Sequence, residues 1–300
     1  MQIADKKNSV NSQESLVVER MNCMEVWGGN QAVDKAFAMP GLNVWLTSRP
    51  YQAAQGGGDV YYISSCASGR ITRVLLADVS GHGAAVSDIA ITLRDLMRRN
   101  VNVMNQERFM AEMNRSFSKK SDDGAFATAL TCSYFAPSRK LSLCNAGHPP
   151  PLFYDSSQKS WRFLEQAVAD ESAIENTPLG IFEEAAYQMF AIKLNVGDML
   201  LCYSDALIES VDETGEQFGL KGIAKLVNQL DASVPENIVP GVIDAVRLCD
   251  PENLKDDDAT IMLLSCDGSG ATIKDNLLAP FRLLRSVKDA VELKQKALFP

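Results

Sequence analysis

Four aspartates stand where a branched, apolar run meets a loop: Asp59, Asp78, Asp205 and Asp257. Asp59 follows Gly56-Gly57-Gly58 and opens Val60-Tyr61-Tyr62-Ile63, a strong strand signal. Asp78 closes the apolar run Val74-Leu75-Leu76-Ala77 and leads into Val79-Ser80-Gly81-His82-Gly83. Asp205 follows Cys202-Tyr203-Ser204, and Asp257 lies in Asp256-Asp257-Asp258 ahead of a last apolar run, Ala259–Cys266. Any one of them reads equally as a turn residue or a helix cap. Four of them converging on one sheet end would repel one another unless cations neutralised them. The donors are all oxygen, with only His82 and Cys202 nearby in sequence, which suits Mg²⁺ or Mn²⁺ and not zinc. Two such ions roughly 4 Å apart activate a bridging water for in-line attack on phosphorus.

The elements around them must bring the carboxylates together. Ser68-Gly69 turns the chain between the strand that Asp59 opens and the strand that Asp78 closes, so antiparallel pairing puts both at one sheet end. Another strand is predicted at Leu42–Thr47, ended by Arg49-Pro50. After Gly83 the spacing turns helical, with Val86, Ala90, Leu93 and Met97 on one stripe of a helix over 84–98. A second helix, 106–117, carries Phe109, Met113 and Phe117. Strands are predicted at Phe126–Phe135, Leu141–Cys144, Pro151–Tyr154 and Trp161–Leu164, and a hairpin joins Tyr187–Leu194 to Asp198–Tyr203 across Asn195-Val196-Gly197. Helices follow at Gly219–Leu230 and Pro235–Cys249. Residues 1–20 read as a polar, mobile tail, 21–267 as one domain whose first stretch to Met39 is mixed in pattern, and 268–300 as an extension with a helical stripe at Leu283, Leu284, Val287 and Val291. Strands, a helix pair, strands and another helix pair do not make a βαβ alternation. The order predicts an α+β fold, an αββα sandwich of two mainly antiparallel sheets flanked by helix pairs.

Composition narrows the function. An apolar fraction of 46% and a charged fraction of 22% are those of an ordinary soluble globular chain. A net charge of −9 argues against a nucleic-acid partner, because a phosphate backbone rewards clustered Lys and Arg. The seven cysteines are scattered with no Cys-x-x-Cys pair, which fits a reducing, cytoplasmic compartment. The N-terminus lacks the apolar core of a signal peptide, and no run of about 18 apolar residues exists to span a membrane. A Cys-x₅-Arg loop and a G-x-x-x-x-G-K-[ST] loop are both missing, which leaves cysteinyl-phosphate and P-loop chemistry without their residues.

Gly57-Gly58-Asp59, Ala77-Asp78-Val79-Ser80-Gly81-His82-Gly83, Asn145-Ala146-Gly147-His148-Pro149, Pro178-Leu179-Gly180, Tyr203-Ser204-Asp205 and Asp257-Asp258-Ala259-Thr260 occur in one order. That order resembles the bacterial PPM-type (protein phosphatase 2C-like) serine/threonine phosphatases, in the branch of the sporulation stage II protein E phosphatase and the stress sigma-factor regulators. The resemblance covers roughly residues 40–266 and implies a hydrolase with two Mn²⁺ or Mg²⁺ ions. By it Asp78 is the bridging carboxylate, the Val79 main-chain oxygen is a ligand, and Asp59, Asp205 and Asp257 are the other acidic ligands, with Asp258 ranked second. The implied substrate is a phosphorylated protein, such as an anti-anti-sigma-type protein, and a regulatory protein partner acting through the helix pair at 84–117 is a further expectation. The chain departs from the family at Ala206, where Gly is common, and at Tyr62, where an acidic residue is common. Arg49 is the candidate phosphate anchor in place of the arginine that would fall near Ala54, and His82 and His148 read as loop-ordering residues. The two departures raise an alternative: a catalytically weak, phosphatase-like binding or scaffold module.

Overall fold

The computed structural model describes residues 18–21, 26–66, 70–80, 84–99, 105–119, 125–164 and 176–270. The strands are β1 (Val18–Arg20), β2 (Val26–Gly29), β3 (Val33–Met39), β4 (Leu42–Arg49), β5 (Asp59–Cys66), β6 (Ile71–Val79), β7 (Ala127–Phe135), β8 (Lys140–Ala146), β9 (Leu152–Asp155), β10 (Ser160–Phe163), β11 (Met189–Lys193), β12 (Met199–Tyr203) and β13 (Ala259–Cys266). The helices are α1 (Ala84–Arg99), α2 (Gln106–Ser118), α3 (Asp205–Glu209), α4 (Gly219–Val227) and α5 (Ile238–Cys249). One sheet, called A, runs β1-β3-β4-β13-β12-β9-β10; the other, B, runs β11-β8-β7-β6-β5-β2. Every pairing is antiparallel except the one between β1 and β3.

Strand alternation assigns each side chain to a layer. Tyr61, Ile63, Val74, Leu76, Leu130 and Cys132 of sheet B meet Val44, Leu46, Leu200, Cys202 and Met262 of sheet A in the core between the sheets. The residues between them, Val60, Tyr62, Leu75, Ala77 and Ala129, face outward onto Ala90, Leu93, Met97, Phe109 and Met113 of α1 and α2. On the other side Trp45, Leu201, Tyr203, Ile261 and Leu263 pack against Leu207, Ile223, Val239, Val242 and Val246 of α3, α4 and α5. Asn105 caps α2, its side chain accepting from the Arg108 N–H at 2.8 Å.

Three local expectations change. The stretch 187–203 is not a hairpin: β11 pairs with β8 at the edge of sheet B, whereas β12 lies inside sheet A between β13 and β9. All five residues of β12 are buried, while β11 alternates between partial and full exposure, so the two strands belong to different environments. Asn195-Val196-Gly197 is therefore a crossing between sheets, closed by Asp198, whose carboxylate accepts from the Asn195 N–H at 2.7 Å. Of the N-terminal stretch read as a tail, Val18–Arg20 forms β1, and residues 1–17 lie outside the described residues. The mixed segment before Met39 holds two strands, β2 and β3. The helical stripe at Leu283–Val291 also falls outside the described residues. Among the described residues no helix is long and apolar enough to cross a membrane.

Leu93 is fully buried between α1 and sheet B. Leu93→Ala should destabilise the protein by about 2–5 kcal/mol in urea unfolding. A loss well under about 1 kcal/mol would mean that α1 is not packed on sheet B as described.

Candidate metal centre

Asp59 is the cross-strand partner of Asp78, and Asp78 is the partner of Thr128. The three residues form a row across β5, β6 and β7, on the face that two residues further on presents Tyr61, Leu76 and Leu130 to the inter-sheet core. Sheet A delivers its own acids to the same end. β12 stops at Tyr203 and α3 begins at Asp205, while Asp257 and Asp258 lead into the neighbouring strand β13.

Asp258 joins the two groups. Its carboxylate accepts from the Gly58 N–H at 2.5 Å and from the Tyr51 N–H at 2.6 Å, and the side chain is buried. Gly57 and Gly58 are required for this approach. A Cβ on Gly57 would stand 2.1 Å from Asp258 Oδ1, and one on Gly58 would stand 2.9 Å from the Val79 carbonyl oxygen. Asn30 holds the other side of the loop, donating from its amide to the Gly57 carbonyl at 3.0 Å and accepting the Gly57 N–H at its own carbonyl at 2.8 Å. The triple glycine thus lets a backbone pass between a carboxylate and a carbonyl.

The electrostatics follow from burial. Asp59 is buried and neither of its carboxylate oxygens has a hydrogen-bond partner. Burial first, then the Asp78 charge beside it, raises its pKa well above the usual carboxylate value. Asp78 is pushed up to about 8, by burial first and then by Asp205, Asp257, Asp258 and Glu209. Burial, with Glu209 next, also raises Asp205. The neighbouring Thr260 and Ser204 hydroxyls pull in the other direction without reversing the shift. Thr260 Oγ1 also shares a hydrogen bond with Ser48 Oγ at 2.8 Å, and Ser204 Oγ accepts from the Thr260 N–H at 2.9 Å. This end of the sandwich is a set of acids running from the buried Asp59 and Asp258 to the half-buried Asp78, Asp205 and Asp257, and the charges that shift Asp59, Asp78 and Asp205 are all acidic.

The other candidates separate cleanly. Asp257 is half-buried and its Oδ1 accepts from the Asp258 N–H at 2.7 Å, so the second aspartate braces the loop while the first faces the acids. Arg49 stands at this end of sheet A, as the register partner of Ala259 beside Asp258, but its guanidinium is already engaged. Its guanidinium pairs with Asp34 and donates to the Val33 carbonyl at 3.0 Å and the Ser48 carbonyl at 2.8 Å. Tyr62 faces α1 in the outer core, on the opposite face of β5 from Asp59, so an acidic residue there would not reach the site. Ala206 sits inside α3 with ordinary helical backbone, so glycine's conformational freedom is not needed. His82 lies outside the described residues. His148 is buried and neutral, its pKa lowered to about 3 by burial, with Nδ1 at 2.7 Å from Thr128 Oγ1. Asn145 orders that turn through the His148 backbone, accepting its N–H at 2.8 Å and donating to its carbonyl at 2.9 Å. Glu209 was not singled out in the sequence. Its signal is the four-residue step from Asp205, which stacks two carboxylates on one helix face.

Among the described residues no three His, Cys, Asp or Glu side chains close around one point. The donor chemistry nonetheless fits a hard divalent ion, which is typically held by one or two carboxylates with waters completing an octahedron. The two unpartnered oxygens of Asp59 and the exclusively oxygen donor set are the features that fit it.

The fold and this acidic end define a protein phosphatase 2C-type domain. The family model described as Stage II sporulation protein E (SpoIIE) matches residues 68–267, and the chain belongs to that family. It is 24% identical over 226 residues to the phosphoserine phosphatase RsbU of Bacillus subtilis, covering 74% of this chain and 63% of RsbU. It is 25% identical over 141 residues to the phosphoserine phosphatase RsbP of the same organism, covering 45% of this chain and 33% of RsbP. The chain therefore spans less than two-thirds of the length of these curated relatives. Among solved structures, the RsbU and RsbW domains of a Mycobacterium tuberculosis protein superpose with a TM-score of 0.64 at 22% identity, over 86% of this chain and 71% of that one. The PP2C phosphatase domain of SpoIIE from Bacillus subtilis, with a fragment of its regulatory domain, gives 0.60 at 15% identity, over 82% and 64%. These likenesses establish the fold.

A raised carboxylate carries a signed consequence for stability. Native Asp78 keeps a proton up to about pH 8 that the unfolded chain releases near its ordinary value of 3.8, so its contribution is present at acid pH and lost as pH rises toward 8. In chelator-treated protein, the urea midpoint should fall between about pH 5.5 and about pH 8.5, and Asp78→Asn should flatten that fall. Equal slopes in the two proteins would contradict the assignment. In a parallel comparison, Asp258→Ala should cost about 2–4 kcal/mol by stranding the Gly58 and Tyr51 amides, while Asp257→Ala should cost under about 1 kcal/mol. Equal losses would refute the division of labour between them.

Proposed function

We propose that the chain is a metal-dependent phosphoprotein phosphatase acting on phosphoserine or phosphothreonine, with Asp59, Asp78, Asp205, Asp257 and the Val79 carbonyl as ligands for Mn²⁺ or Mg²⁺. The observation that carries the proposal is the Asp59–Asp78 register pair: a buried carboxylate with both oxygens unpartnered beside a half-buried one whose charge raises its proton affinity further. Such a pair costs folding free energy and is explained by a ligand that reclaims it. A divalent ion at such a site supplies Lewis acidity, acidifying a water and neutralising phosphate charge.

The chain's own residues do the positioning. Asp59 and Asp78 are held on adjacent strands of a rigid sheet, and Asp205 is fixed by the first turn of α3. Asp258 ties sheet A to sheet B at this end by gripping Gly58, and the Val79 N–H, bonded to the Gly58 carbonyl at 3.3 Å, keeps Val79 beside the glycine loop. The fully buried outer core under α1 and α2 keeps water from the back of β5 and β6. RsbU and RsbP are named phosphoserine phosphatases, which supports the same chemistry here. A phosphorylated anti-anti-sigma-type protein is the proposed substrate class, and a regulatory protein acting on α1 and α2 is the proposed partner, in a cytoplasmic signalling setting. The non-catalytic scaffold reading loses its two supports, since neither Tyr62 nor Ala206 disturbs the acidic end.

Hydrolysis of p-nitrophenyl phosphate should require Mn²⁺ or Mg²⁺ and stop with chelator. Asp78→Asn should stay folded and lose at least the roughly 10–100-fold that even supporting-shell changes cost metal sites. Full turnover in metal-stripped protein, or wild-type turnover in Asp78→Asn, would sink the mechanism.

A further inference from the structure

Among the described residues, Ile181 and Phe182 are the one adjacent pair of large apolar side chains left in solvent, at 46% and 45% exposure. Glu183 and Glu184 follow, also exposed and without an ion-pair partner among the described residues. Single exposed apolar residues are ordinary on protein surfaces. This pair is distinguished by how firmly it is held. Asn114 of α2 is fully buried and spends its whole side-chain amide on the loop: Nδ2 donates to the Phe182 carbonyl at 2.8 Å and the Glu183 carbonyl at 3.1 Å, and Oδ1 accepts from the Gly180 N–H at 2.9 Å. Gly180 has φ +91°, and a Cβ there would stand 2.8 Å from the Ala125 carbonyl and 3.0 Å from the Phe117 ring. One residue earlier, Leu179 exchanges both backbone hydrogen bonds with Ala127, at 2.7 and 2.9 Å. Ala127 is the register partner of Val79.

The loop is thus clamped from both sides, and it continues the same end of sheet B that carries Asp78. A rigid apolar surface binds without the entropy of ordering a loop. Two exposed apolar side chains on a held backbone, followed by two carboxylates without an ion-pair partner among the described residues, match a segment bearing an aliphatic side chain and a Lys or Arg. We propose that Ile181-Phe182-Glu183-Glu184 is a docking ridge for the phosphoprotein substrate, seating an aliphatic residue on Ile181 and Phe182 and a basic residue on the two glutamates, both close in sequence to the phosphoserine. The proposal rests on the phosphatase reading above and adds to it the substrate chemistry recognised outside the phosphate. Asn114 acts as a positioning residue, which ties the ridge to α2.

The test uses the full chain with Mn²⁺ and a panel of synthetic phosphoserine peptides. The peptides carry Leu and Lys, or Ser and Glu, at each position flanking the phosphoserine, and p-nitrophenyl phosphate serves as the substrate too small to reach the ridge. Wild type should favour the best Leu/Lys peptide over its Ser/Glu counterpart by about tenfold in kcat/KM. The double variant Ile181→Ser/Phe182→Ser should lose most of that preference through KM, with p-nitrophenyl phosphate turnover unchanged. Glu183→Lys/Glu184→Lys should reverse the preference for the basic residue alone. All four positions are exposed, so these variants should fold as wild type does, which their urea midpoints check. No preference in wild type, or a preference that survives both double variants, overturns the ridge while leaving hydrolysis of p-nitrophenyl phosphate to uphold the phosphatase. A wild type inert toward p-nitrophenyl phosphate and every peptide overturns the phosphatase reading, and the ridge's role with it.

Discussion

The hydrogen bonds from the Gly58 and Tyr51 amides to Asp258 are the constraint on which the acidic end depends. Asp258 precedes a central strand of sheet A, and Gly58 precedes Asp59 in sheet B. A buried carboxylate that takes two backbone donors is worth more than a surface pair, because the alternative for each partner is an unsatisfied polar group. With that contact made, the start of β5 is fixed against the start of β13, and the register of β5 with β6 then places Asp78 without further adjustment. The glycines are a consequence of the same contact, since a side chain at Gly57 would occupy the space of the carboxylate.

The same contact has an electrostatic cost. Bringing sheet A's acids to sheet B's acids raises Asp59, Asp78 and Asp205, all chiefly by burial and then by a neighbouring carboxylate: Asp78 for Asp59, Asp205 for Asp78 and Glu209 for Asp205. Folding therefore concentrates carboxyl groups where their ionised form is poorly solvated, and the apolar cores on three levels must outweigh that cost. A device of this kind is stable as a fold and unsatisfied as a site, which is the condition a cation-dependent catalyst needs.

Much of this was legible in the sequence because the strands on both faces of two sheets read as uninterrupted apolar runs, and the carboxylates at their tips break those runs sharply. The hairpin that delivers Asp59 and Asp78 was readable from a turn between two strong strands, and the helix 106–118 from its Phe109, Met113, Phe117 stripe. The crossing at Asn195-Val196-Gly197 was not, because turn chemistry looks the same whether the next strand pairs with the last one or enters the other sheet. The respective roles of Asp257 and Asp258 were equally hidden: adjacent identical residues differ only in which backbone amides meet them, and those amides belong to residues some 200 positions away. Glu209 and the engagement of Arg49 by Asp34 depend on similar placement.

In the proposed role of the acidic end, its carboxyl groups hold protons until divalent cations displace them. Calorimetric titration of Mn²⁺ into metal-stripped protein near neutral pH, repeated in buffers of different ionisation enthalpy, measures that exchange directly. With Asp78 raised to about 8 and Asp59 raised beside it, binding should release about one proton or more per chain, and the release should fall sharply in Asp78→Asn. Mn²⁺ binding with no proton released, or no binding at all, would contradict a proton-for-cation exchange at the acidic end.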